Sequence, residues 1–274
     1  MNRKYFLSLT TAIALFATGC GGEKEKSKKP ELDPLAQKAI ESGLKAIPTD
    51  TKELYKIIDN PQNRITPEKV EFGKKLYFDP RLSKSNLISC NTCHNLALGG
   101  DDDIPVATGH MWRANPHHLN SPTVYNAVFN SSQFWDGRAT DLEHQAQGPI
   151  LAGPEMASTK EIVINTVKSI PEYVEDFKKA FGNTEITYEK ITSAIGTFER
   201  TLVTPSRFDD FLNGDSTALS AEEREGLKLF IDKGCASCHS GYGIGGASMQ
   251  KFPLIKPYKY ANLGDFKGNK DGMV

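Results

Sequence analysis

Two pentapeptides in this chain share one pattern: Cys90-Asn91-Thr92-Cys93-His94 and Cys235-Ala236-Ser237-Cys238-His239. Two thiols spaced by two residues, followed at once by an imidazole, suit the attachment of a c-type haem. The thiols add across the two vinyl groups of one porphyrin, and the adjacent ring ligates its iron. Two other chemistries use paired cysteines. A structural zinc takes four thiolate or imidazole ligands, but these pairs lie far apart and zinc requires no His directly after each. A thioredoxin-like dithiol needs a βαβ setting, and neither run has one. The chain contains 5 cysteines, four of them in these runs. The expectation is two covalent haem c groups, held by Cys90, Cys93 and His94 and by Cys235, Cys238 and His239.

The elements that position these runs read as helices. Thr66 suits an N-cap and Pro67 the first helical position, and Val70, Phe72, Leu76 and Tyr77 follow. Ser220-Ala221-Glu222-Glu223 is a capping box, with Leu227, Leu229 and Phe230 behind it. Gly73-Lys74-Lys75-Leu76-Tyr77-Phe78-Asp79 aligns with Gly226-Leu227-Lys228-Leu229-Phe230-Ile231-Asp232. This internal repeat leads into both runs. Between the repeats, Ile162 to Phe181 and Tyr188 to Leu202 show helical apolar spacing, the second through Ile191, Ile195, Phe198 and Leu202. Strand signals are few. Gly99 to Thr123 and Gly148 to Ser158 read as loops. The fold expected is all-α: two cytochrome-c-like haem domains with long loops.

The fifth cysteine bears on location. Met1-Asn2-Arg3-Lys4 precedes an apolar run from Tyr5 to Ala17 and then Thr18-Gly19-Cys20. The run is shorter than the roughly 20 residues a spanning helix needs, and it has the layout of a secretory signal. Ala17-Thr18-Gly19-Cys20 resembles a bacterial lipobox, which implies cleavage before Cys20 and lipid on its thiol. An ordinary signal cut nearby is the alternative. Gly21 to Lys29 have the composition of a solvated tether. With every cysteine assigned, no disulfide is expected. The net charge of −1 points to no polyanion such as nucleic acid, and the mean hydropathy of −0.43 suits a soluble body. The division expected is a signal over 1–20, a tether and N-terminal segment over 21–61, and haem domains over 62–163 and 164–274.

Beyond the two runs, the chain resembles the bacterial dihaem cytochrome c peroxidase family, which includes the MauG-type enzymes. The resemblance rests on Phe72-Gly73-Lys74-Lys75-Leu76-Tyr77-Phe78-Asp79-Pro80-Arg81-Leu82-Ser83, on Asn120-Ser121-Pro122-Thr123-Val124-Tyr125-Asn126, and on Gln133-Phe134-Trp135-Asp136-Gly137-Arg138. It continues through Gln145-Ala146-Gln147-Gly148-Pro149 and Gly153-Pro154-Glu155-Met156.

The resemblance implies that the first haem is the low-potential, peroxidatic one and the second the high-potential, electron-accepting one. It makes His110 a sixth ligand of the first iron, displaced on activation. Trp135 becomes an aromatic between the haems, and Gln145 and Glu155 polar groups of the distal pocket. Asn120 becomes a side-chain ligand of one calcium ion. From the residues alone, a loop Glu is usually solvated. His110, His117, His118 and His144 are equal candidates for a second axial ligand. Trp135 could be plain core. Asp101, Asp102 and Asp103 read as a solvated acidic loop in preference to a calcium site.

The activity implied is reduction of hydrogen peroxide to water, with electrons from a small reduced cytochrome c or a cupredoxin. The setting implied is the periplasmic side of a bacterial membrane, reached through the lipid alone, and pairing into a homodimer is compatible with it. The alternatives are a MauG-like oxidase acting on a protein substrate and a non-enzymatic dihaem electron carrier. Family members continue past the position matching Val274, where the second haem's distal ligand lies. Met249 and Met273 do not match that position, so the chain is expected to be incomplete or its second haem differently ligated.

Overall fold

In the computed structural model, residues 32–116, 119–252 and 255–256 are described. The signal, Cys20 and the tether lie outside them, as do His117, His118 and Met273. The described residues belong to one compact unit. Among them, β-structure is limited to isolated bridges, and no helix is long and apolar enough to cross a membrane.

The helices are α1 (Pro34–Glu41), α2 (Thr51–Ile58), α3 (Pro67–Phe78), α4 (Cys90–Cys93), α5 (Leu142–Gln145), α6 (Gln147–Leu151), α7 (Lys160–Ser169), α8 (Pro171–Phe181), α9 (Tyr188–Arg200), α10 (Arg207–Leu212) and α11 (Ala221–Asp232). Local chemistry sets their ends. The Thr66 hydroxyl accepts from Lys69 N at the start of α3, with Pro67 in the first turn. Ser220 and Glu223 complete the capping box of α11, Ser220 N donating to Glu223 and Glu223 N to Ser220 Oγ. The apolar stretch from Ile162 to Phe181 divides into α7 and α8, because Pro171 has no N–H and restricts Ile170 to extended geometry. Gly148 to Ser158 is not all loop: its first residues lie in α6.

Two hydrophobic clusters follow. The first gathers Phe72, Leu76 and Tyr77 of α3, Val163 and Val167 of α7, Phe177 of α8 and Ile191, Ala194, Ile195 and Phe198 of α9. A boundary after residue 163 would cut through this cluster. The second brings Ala36 and Ala39 of α1 against Phe211 and Leu212 of α10 and Leu227 of α11.

The repeated glycine has different surroundings in its two copies. A Cβ on Gly73 would sit 1.9 Å from Ala194 O, so α3 and α9 cross almost backbone to backbone. A Cβ on Gly226 would meet nothing within 4 Å among the described residues. The aromatic that follows reaches its own run in both copies. Tyr77 donates its hydroxyl to His94 O, and the Phe230 ring lies edge-on to His239 with centroids 6.2 Å apart.

Candidate haem site

The first run closes one end of a cavity of about 410 Å³. Ser89 precedes α4, its N–H donating to Thr92 Oγ1 at 2.9 Å. This single turn brings Cys90, Cys93 and His94 to one wall. Neither thiol is in a disulfide. Burial pushes both thiols up, Cys93 to about 12, so they stand as thiols rather than thiolates. His94 Nδ1 lies 2.9 Å from Pro122 O. Donation from Nδ1 to that carbonyl leaves the Nε2 lone pair for a metal. Burial also lowers the imidazole below its ordinary value, which keeps it neutral and able to ligate.

Other lining residues come from loops and from helix ends. After α6 the chain folds back on itself, with Glu155 N and Ala157 N both donating to Ala152 O and Ser158 N to Ile150 O. Ala157 takes a left-handed φ of 53° to do so. Glu155 is half-buried in the cavity wall, and Asn115 Nδ2 lies 3.4 Å from its Oε1. Gln145, at the end of α5, lines the same wall.

Trp135 sits in the turn from Phe134 to Gly137, both at positive φ. Its indole N–H donates to Asn120 O at 3.0 Å. Trp135 is 44% exposed and lines the cavity, so it is not plain core. Asn120 is in the wall too, its amide donating to Ile104 O at 2.7 Å.

His110 is beside this cavity rather than in its lining; its neighbour Gly109 is in the lining. His110 N donates to Pro154 O at 3.0 Å, and a Cβ on Gly109 would meet the same oxygen at 1.9 Å. The two loops carrying His110 and Glu155 are therefore in direct backbone contact. His110 Nδ1 is buried with no hydrogen-bond partner. Met111 and Trp112 follow with φ of 59° and 60°. Successive left-handed residues with side chains are strained, so this turn holds His110 in a conformation with a cost. His144 is exposed.

Two carboxylic residues in or beside the site depart from the sequence reading or escape it. Glu199 of α9 lines the cavity at 4% exposure, with Oε2 buried and unpartnered. Burial first, then the nearby Glu143 carboxylate, raise it to about 8. Its neighbour Arg200 is also buried, pairing with Glu143 at 3.0 Å and donating to Ile58 O and Asn63 O. Asp102 was expected in a solvated loop. Instead, both its carboxylate oxygens are buried without a hydrogen-bond partner, because residues 95–101 fold back through Asn95 N to Asp101 O and Gly100 N to Asn95 O. Among the described residues no group of three His, Cys, Asp or Glu is placed to hold a bare metal ion.

The second run forms a 3₁₀ turn over Cys235–Ser237. Cys235 and Cys238 are exposed, and His239 Nδ1 lies 3.3 Å from Ile244 O. The residues of the first site fit a haem: paired thiols, an oriented imidazole and a partly open cavity of ligand-site size. The second offers the same donors in an open setting.

The family model for di-haem cytochrome c peroxidase matches residues 67–217, more than half of the chain. The chain belongs to the di-haem cytochrome c peroxidase family. It is 53% identical over 206 residues to the cytochrome c551 peroxidase of Nitrosomonas europaea, covering 74% of this chain and 61% of that protein. It is 37% identical over 237 residues to the methylamine utilization protein MauG of Methylorubrum extorquens, covering 85% of this chain and 67% of that one. A crystal structure of a MauG-like protein associated with microbial copper homeostasis superposes with a TM-score of 0.66 at 23% identity, over 78% of this chain and 69% of that one. That likeness supports the helical fold of the family. The chain spans 61% and 56% of the lengths of two cytochrome c551 peroxidases it matches. Its di-haem membership agrees with the two Cys-X-X-Cys-His runs.

Proposed function

We propose that this protein reduces hydrogen peroxide to two waters, taking two electrons from a small reduced cytochrome c or cupredoxin and two protons from solvent. The observation that carries this reading is the convergence of Cys90, Cys93, His94, Gln145 and Glu155 on one cavity. Each hydrophobic cluster would serve one haem c. A haem held by Cys90, Cys93 and His94 would supply the redox chemistry on peroxide, and one held by Cys235, Cys238 and His239 would supply it with electrons.

The protein's own groups do the rest. His94 keeps Nε2 aimed at the cavity through its Nδ1 contact with Pro122. Glu155 takes the proton from one peroxide oxygen and delivers it to the other, so that the leaving oxygen departs as water. Asn115 orients Glu155, and Gln145 holds the outer oxygen by its amide. Trp135, its indole held by Asn120 O, would carry electrons from the second haem toward the first. His110, beside the cavity, would serve as a further ligand to the iron of the first haem and would leave it when the second haem is reduced; the strained residues Met111 and Trp112 follow it directly. Asn120 offers its amide oxygen to one calcium ion.

The test is a count of haem by pyridine haemochrome. Two haems per chain are expected, and Cys90→Ala with Cys93→Ala should remove one of them together with peroxide turnover. One haem or none in the unaltered protein would reject the reading. The same reading places the protein on the periplasmic side, held by lipid on Cys20 and open to pairing with a second copy. Mass spectrometry of the mature N-terminus should show a lipidated Cys20; an unmodified terminus elsewhere would remove the anchor.

A further inference from the structure

The two proximal histidines have nearly the same backbone partner. His94 Nδ1 faces Pro122 O at 2.9 Å and His239 Nδ1 faces Ile244 O at 3.3 Å. A carbonyl behind the ring makes imidazole a better donor to iron, but it does so at both sites and hardly distinguishes them. The loops that follow differ sharply. After His94 come Asp101, Asp102 and Asp103, whereas no acidic residue occurs from Ser240 to Lys251.

Within the first loop, Asp102 is singular. Asp103 is exposed, and Asp101 is engaged through Asp103 N. Among the described residues, both oxygens of Asp102 are buried with no hydrogen-bond donor, and no ion pair to it is found. The loop that buries it is fastened around the first run: Val124 N donates to Gly100 O, and Thr123 Oγ1 to Gly99 O. The same strand of chain carries Pro122, the partner of His94. Asn95 N donates to Asp101 O and Gly100 N to Asn95 O, which folds the segment carrying Asp102 back onto the residues that follow His94. A buried carboxylate without hydrogen bonds needs a positive partner. The oxidised iron on His94 carries one more positive charge than the reduced iron.

We propose that Asp102 is the counter-charge of the first haem iron, stabilising its oxidised state and lowering its reduction potential relative to the second. Electrons would then run from donor to second haem spontaneously, and reach the first only when an oxidant is present to draw them. Asp102 touches neither peroxide nor iron in this role; it is a positioning charge. The proposal rests on the di-haem reading, and deepens it by naming one residue that contributes to the separation of the two potentials.

The test is a spectroelectrochemical titration of the complete, doubly haem-loaded protein, following the two haems separately. Asp102→Asn should shift the first haem's oxidised-to-reduced equilibrium about tenfold, ~59 mV upward for one electron, and leave the second in place. Asp102→Ser, smaller and also neutral, should shift it the same way and stands in if the amide variant fails to load haem. Asp103→Asn, a charge change at an exposed neighbour, should move it far less. An unmoved first potential in a neutral Asp102 variant with both haems attached would overturn the proposal while leaving the di-haem reading intact. So would a wild-type potential that changes on chelation of divalent cations but ceases to do so in Asp102→Asn, since Asp102 would then be a cation ligand.

Discussion

Glu155→Gln should lower peroxide turnover by roughly two to four orders of magnitude, the usual worth of a positioned proton carrier, with both haems still attached. The amide keeps the shape of the side chain and its contact with Asn115, which lies 3.4 Å from Oε1. It cannot accept a proton from one peroxide oxygen. The backbone around it is fixed by hydrogen bonds that do not involve the side chain, Glu155 N and Ala157 N to Ala152 O, so the loop should persist. Steady-state turnover with a reduced cytochrome, alongside a haem count, decides the matter. Turnover within a few fold of the unaltered protein would remove Glu155 from the chemistry and favour a protein that carries electrons.

A second large effect concerns stability. Glu199 is raised from the ordinary 4.5 to about 8, by burial first and Glu143 second. Between those values the folded protein holds a proton that the unfolded chain releases. Stability should therefore fall as pH rises through that window, by on the order of 1 kcal/mol per pH unit, and level off above it. Below the window Glu199 contributes no slope, since it is protonated in both states. Glu199→Gln mimics the protonated form at every pH. It should remove this contribution to the slope and leave the variant more stable than the parent near pH 8. Guanidinium unfolding across the window reads the difference; an undiminished slope in the variant would show that Glu199 is ionised in the folded protein.

What could be read from the sequence was local. The two runs, the Thr66 and Ser220 caps and the Gly73/Gly226 repeat depend on neighbours within a few residues, and the structure has the corresponding caps and helices. Pro171 is equally local, yet a smooth apolar pattern on both sides of it concealed the break between α7 and α8. Glu199 had a readable signal: it stands four residues after Ile195, on the apolar face of α9. A charged residue at such a position is more informative than the apolar ones around it. The burial of Asp102 had no comparable signal, because three consecutive acids in a glycine-bounded stretch look solvated until the fold-back from Asn95 to Asp101 is known. Periodicity also gives a helix its buried face without its partner. Hence the stretches holding α7, α8 and α9 could be read as helical, but the packing of α8 and α9 on α3 could not.

The Gly73–Ala194 crossing has a consequence for the order of events during synthesis. The thiols at 90 and 93, proposed to carry a haem, appear early, whereas Ile195 and Glu199, which line the same cavity, appear much later. Contacts of that separation form only after a costly loop closure. A chain made from its N-terminus thus presents its first Cys-X-X-Cys-His run well before it can enclose it. On the proposed reading, the order in which the cavity's parts emerge would leave an interval for covalent attachment, and the docking of α9 on α3 would bring that interval to an end.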